Sequence, residues 1–223
     1  MTGKLYLKKF LLLYGKTYSG MLGIRLSPKK EGGIFKWFIA SILLGARITE
    51  SLAIRTYRQF GADGLLSFGK MSKASWDDLV TSLDKGGYVR YDFGTASDLV
   101  SVMKLLKGKY KGRLNSVHTL AMDPADLGKR LQEFRGIGPV TAGIFLRELR
   151  GVWPKADPPL LGLAAKAASE LGIKDPVSFW QKNKVRGSSY VNFETALMRI
   201  GREARRKKRS AMNIAKEKDL YIL

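Results

Sequence analysis

Hydrophobic positions recur along most of this chain at three- and four-residue spacing, the period of a helix. Residues 34–46, IFKWFIASILLGA, are apolar almost all round, which predicts a helix buried on every side. Thr49 stands where it can cap a second helix running to about Phe60. Ser75 and Asp78 have capping-box spacing, and the helix they open is predicted to stop at Gly86-Gly87. Residues 95–107 place Leu99, Val100, Val102, Met103, Leu105 and Leu106 on a helical face, with Gly108 as the stop. Leu127, Leu131 and Phe134 mark a helix from 124 to about 134, opened by Asp123 as N-cap and Pro124 at the first helical position. Asp157-Pro158 and Asp175-Pro176 repeat that start signal, and a last long helix covers 189–206. Strand alternation is nowhere convincing. The pattern predicts an all-α fold without a repeat of fixed period. The stretch SPKKEGG, 27–33, is the expected boundary between an N-terminal piece and the helical body.

Composition narrows the class. A hydrophobic content of 45% and a mean hydropathy of -0.14 over 223 residues fit a globular chain rather than a disordered one. The longest apolar runs, LLLY near the start and FIASILLGA at 38–46, fall short of the ~20 residues that a membrane span needs. No small-residue cleavage site follows the lysine-rich start, so no secretory signal is expected. The chain has no cysteine, which excludes disulfides, Cys-ligated zinc and an iron–sulfur cluster and permits a reducing cytoplasm, the expected location (nucleoid-associated in a prokaryote). No His/Asp/Glu cluster suggests a metal site, and no cofactor is expected. The lone histidine, His118, reads as structural. Forty Lys and Arg against nineteen Asp and Glu give a net charge of +21. That excess points to a polyanionic partner through phosphate contacts and counterion release, with a generally basic proteome as the bland alternative.

Charge turns attention to FRGIGPVTA, 134–142, a glycine-bounded turn between two helical patterns. Gly136 and Gly138 allow a tight reversal and close approach of another molecule, and Ile137 would pin the two helices together. Pro139 suits the first turn of the next helix. Its free N–H groups and dipole would favour an anion, in this chain a DNA phosphate, a contact that positions the protein and reads no sequence. An ordinary helix–helix turn is the alternative.

The segments LQEFRGIGPVTAGIFLREL and ADPPLLGLAAKAASELGI resemble the helix-hairpin-helix DNA glycosylases of the endonuclease III superfamily. KWFIASILLGARITESLAIRTYRQF is similar to that family's earlier helix pair, and FETALMRIGREA to its late helix, with Gly201-Arg202 where the family has Gly-Arg. The resemblance implies two helical lobes: a six-helix barrel over 28–153 and a second lobe from 1–27 plus 154–223. It implies double-stranded DNA as partner, a monomer, and a damaged or mismatched base flipped into the cleft. Asp157 falls at the family's essential carboxylate, where it would stabilise positive charge building on the sugar or activate water, while also capping a helix. Gly136, Ile137, Gly138, Val140 and Thr141 would form the DNA-binding hairpin, with Arg202 as a further DNA contact. Bifunctional members carry a lysine where this chain has Val140, which cannot be a nucleophile. Monofunctional base removal is therefore expected; a displaced Lys155 or Lys166 acting as lyase, or a non-catalytic DNA-binding module, are the alternatives. ARRKKRS, 204–210, stands where relatives ligate their cluster, and reads as a phosphate contact or a solvated tail. Arg47 replaces a glutamine that fills the space left by the flipped base, and Ser41 argues against the adenine-removing branch. Trp37 and Trp153 are the expected base-pocket residues, chosen from Trp37, Phe38, Trp76, Tyr88, Tyr91 and Trp153. Which base is removed stays open.

Overall fold

The computed structural model describes residues 2–220, and every helix or strand assigned there is a helix. In chain order these are α1 (Thr2–Tyr14), α2 (Tyr18–Met21), α3 (Glu31–Gly45), α4 (Glu50–Ala62), α5 (Phe68–Met71), α6 (Trp76–Lys85) and α7 (Asp92–Tyr110). They continue with α8 (Leu114–Leu120), α9 (Pro124–Gln132), α10 (Pro139–Glu148), α11 (Gly162–Glu170), α12 (Pro176–Asn183), α13 (Tyr190–Lys207) and α14 (Ala211–Glu217). The all-α class expected from the periodicity is what the chain adopts. It divides into two compact units, Leu22–Pro158 and Met1–Met21 with Pro159–Leu223.

The continuous unit is built around α3, which buries Ile34, Phe35, Trp37, Phe38, Ile39 and Leu43 and packs on α4, α8 and α10. Phe38 lies edge-on to Phe134 and Phe145, with ring centroids 5.5 and 5.2 Å apart. The Trp37 indole N–H donates to the Phe145 carbonyl at 3.0 Å, so its polar atom is satisfied inside the core. Glu31, at the head of α3, reaches across to α8. Its carboxylate accepts the backbone N–H of Leu114 and Asn115 and the Asn115 amide, in place of a local cap. Local caps account for other starts. Thr49 accepts from Leu52 N–H, and Ser75 and Asp78 form the capping box reciprocally. The end of α7 differs from expectation. Gly108 lies inside the helix, which stops only where Lys111 and Gly112 take positive φ, 52° and 74°.

In the discontinuous unit α13 is the central element. Gly201 lets α11 approach closely, because a Cβ there would stand 2.6 Å from the Leu163 carbonyl oxygen. On another side α1 brings Phe10 to Phe193, and the Tyr14 hydroxyl donates to Glu203 at 2.6 Å. Burial alone would raise the Glu203 carboxyl, but hydrogen bonds from Tyr14, Lys207 and Lys218 outweigh it and lower it to about 2. Asp175-Pro176 starts α12 as expected, whereas Asp157-Pro158 starts no helix. The chain stays irregular to Leu161, and α11 begins at Gly162. The expected stretch 27–33 contains the start of α3, and the units instead divide at Met21/Leu22 and Pro158/Pro159.

Candidate nucleic-acid interface and carboxylate site

The hairpin between α9 and α10 is shaped by one glycine and left open by the other. Gly136 has φ +78°, and a Cβ there would come within 2.6 Å of Asp98 Oδ2. Asp98 is itself paired with Arg135 at 2.8 Å. Gly138 has ordinary extended backbone, φ -90° and ψ -178°, and a Cβ there would meet nothing within 4 Å. Its smallness matters only toward whatever approaches from outside. Ile137 is buried, and its N–H closes the turn on the Phe134 carbonyl at 3.0 Å. Pro139 opens α10, no side chain caps that helix, and the N–H groups of Val140 and Thr141 have no acceptor among the described residues. These free donors and the helix dipole suit an anion. Val140 is 58% exposed, whereas Thr141 is buried.

Thr141 lies against Gly45, where an added Cβ would stand 3.1 Å from the Thr141 Cα, so the end of α3 is fitted to the start of α10. Two residues on, Arg47 is exposed in the α3–α4 loop. It lines a pocket of about 460 Å³ with Leu52, Tyr88, Val89, Arg90 and Tyr91. Arg90 lies over the Tyr91 ring at 5.4 Å, and Val89 is 65% exposed. The sequence singles out Arg47 among these residues but not Val89 or Arg90. The double glycine before them ended the helical pattern, and only the fold brings their loop beside Arg47.

Asp157 sits in the connection between α10 and α11. Its side chain is 71% exposed and caps nothing, so the expected capping role is withdrawn. One oxygen, Oδ1, accepts from Arg150, whose guanidinium also donates to the Pro158 carbonyl. The Lys155 ammonium donates to the carbonyl oxygens of His118 (3.1 Å) and Ala121 at the end of α8. Lys166 is on α11 and pairs at 3.8 Å with Glu170.

The expected base pocket does not hold. Trp37 and Trp153 are 0% and 1% exposed, and each indole N–H is satisfied inside the unit, Trp153 by Asn115 Oδ1 at 2.8 Å. Such rings are core and present no face to a base. Phe38 and Tyr88 are buried too, while Trp76 and Tyr91 are exposed. His118 stacks on Trp153 with centroids 5.1 Å apart, and burial followed by the Lys155 charge pushes its pKa down. Ser41 is buried and donates to the Trp37 carbonyl. Arg202 is partly buried on α13 in the other unit. The basic run after it is ordered: α13 continues to Lys207, which pairs with Glu203, and Arg209 pairs with Glu217. Among the described residues no group of three or more His, Asp or Glu could hold a metal ion, and no helix is long and apolar enough to cross a membrane. No protein-family model and no curated protein matches the chain.

Proposed function

We propose that this protein is a helix-hairpin-helix DNA glycosylase, similar to endonuclease III, that hydrolyses a damaged or mismatched base from duplex DNA without cutting the strand. The observation that carries this reading is the uncapped start of α10, open at Gly138, in a chain of net charge +21. The family's six-helix barrel corresponds in this reading to the unit Leu22–Pro158. Backbone N–H groups hold a phosphate, and Arg47 with Arg90 offers cations to the neighbouring backbone or the orphaned base. As the sugar–base bond breaks, its electron pair leaves with the base and positive charge builds on the sugar. The exposed carboxylate of Asp157 stabilises that charge. Water then bonds to the sugar carbon and loses a proton, which the departed base takes up, leaving an abasic site and the free base. Val140 in the hairpin and the engaged amine of Lys155 support hydrolysis over Schiff-base cleavage.

A panel of duplexes, each holding one alkylated purine, one deaminated or mismatched pyrimidine, or one oxidised guanine, tests this. Intact strands with abasic sites, cut only by hot alkali and giving no borohydride-trapped adduct, are the expected products. If roughly 6–10 phosphates are neutralised, affinity should fall about 10³–10⁵-fold between ~50 and ~200 mM salt. Gly138→Val should weaken binding to all duplexes alike while the melting temperature holds, because its side chain enters open space. Salt-sensitive binding with no excision from any lesion would leave a DNA-binding module alone. A trapped adduct lost on replacing Lys155 would make the protein a lyase.

A further inference from the structure

We infer that Arg150 is the positioning residue of Asp157, an inference that rests on Asp157 being the carboxylate of the glycosylase proposed above. The backbone leading to Asp157 is held at several points. Trp153 bonds Asn115, Lys155 bonds the end of α8, the Ala156 N–H closes on the Trp153 carbonyl at 2.9 Å, and the Asp157 N–H on the Lys155 carbonyl at 3.0 Å. That fixes the Cα but leaves the side chain its rotamers. An aspartate is usually oriented by backbone N–H groups just after it. Here residues 158 and 159 are both proline and have none. The orienting donor must come from elsewhere, and it is Arg150. One arm of its guanidinium holds Asp157 Oδ1 and another holds the Pro158 carbonyl, a fork that fixes the side chain against its own backbone. The Arg150 side chain is only 17% exposed, so the cation is itself seated. Oδ2 accepts no hydrogen bond among the described residues, which leaves one carboxylate oxygen for the substrate.

Single-turnover excision at saturating protein separates this role from DNA binding. Arg150→Met should lower the excision rate constant by about 10²-fold, the effect of misplacing a catalytic group by roughly an ångström. Arg150→Lys, which supplies charge without the fork, should recover part of that loss. In an Asp157→Asn background, Arg150→Met should change the rate by less than about twofold, because groups acting as a unit are not additive. A second readout needs no turnover. A duplex with a cationic pyrrolidine at the abasic position should bind more tightly than one with neutral tetrahydrofuran. Arg150→Met should shrink that preference and Asp157→Asn should abolish it.

Loss of excision and preference in Asp157→Asn, with both kept in Arg150→Met, would overturn the positioning role alone. Additive losses in the double variant would do the same. Asp157→Asn behaving like the parent would overturn the glycosylase assignment of Asp157 and the inference with it. A parent with neither excision nor preference would overturn both.

Discussion

Asp123-Pro124 and Asp175-Pro176 each open a helix, whereas Asp157-Pro158, the same dipeptide, does not. Asp123 accepts the Asp126 N–H at 2.8 Å. Asp175 accepts the N–H groups of Val177 and Ser178, both at 3.0 Å, and the Ser178 hydroxyl at 2.6 Å. The difference lies one residue further on. Ala125 and Val177 continue the first two copies, but Pro159 continues the third. A residue before proline is pushed away from helical backbone, so Pro158 cannot serve as the first helical residue, and Pro159 offers no N–H. The side chain that would have capped a helix is left exposed, and a cation seven residues earlier takes hold of it. A helix-start signal thus has to be read through its second helical position before it is trusted.

The comparison can be tested by exchanging the roles of the copies. The largest expected effect is on chemistry: Asp157→Asn should lower single-turnover excision about 10²–10³-fold, with Asp123→Asn and Asp175→Asn near the parent rate. Equal losses in all three variants would erase the distinction. Next comes Val177→Pro, which gives the second copy the sequence of the third. It removes the N–H bonded to Asp175 and pushes Pro176 out of helical backbone. The variant should lose about 2 kcal/mol, read as a melting temperature lower by about 4–8 °C. A smaller effect is expected of Asp123→Ala, about 1 kcal/mol for a lost cap. Asp157→Ala should move the melting temperature less, because it caps no helix and its side chain is 71% exposed; a larger drop than for Asp123→Ala would mean that it stabilises the fold. The smallest effect is on acid stability. The Ser178 hydroxyl and then the backbone N–H groups hold the Asp175 carboxyl below the usual range. Its contribution is therefore present above the unfolded value of about 3.9 and is lost as pH falls through the lower folded value. Asp175→Asn should flatten the acid limb of a melting-temperature curve below about pH 4. An unaltered limb would count against that hydrogen-bond set.

What was legible in the sequence divides along the same line between local and distant causes. The starts of α4, α6, α9 and α12 were readable because each cap lies within three residues of its acceptor or donor. The start of α8 was not, since its N–H groups go to Glu31 on α3. Gly108 misled because an exposed glycine within a helix and one ending it look alike; positive φ falls at Gly112 instead. At the hairpin, the conformational need of Gly136 followed from its residue type, but the contrast with Gly138 lies in what stands nearby. Trp37 carried its own warning, as it lies in a stretch apolar almost all round. Arg150 gave no signal at all, because no periodicity relates residues seven apart across an irregular loop.

The discontinuous unit has a consequence for biosynthesis. Residues 22–158 leave the ribosome as one uninterrupted piece, but α1 belongs with α13. Until α13 emerges, the face formed by Leu7, Phe10, Leu11 and Tyr14 has no permanent cover. At about 5–20 residues per second, the N-terminal helix waits on the order of ten to forty seconds for its partner. A nascent chain halted after residue 158 has cleared the ribosome, but before α13 has, should therefore carry a protease-resistant 22–158 behind a cleavable N-terminus. Release of the remaining residues should protect that N-terminus in a single late step, and the same waiting helix is where a holding chaperone should be found.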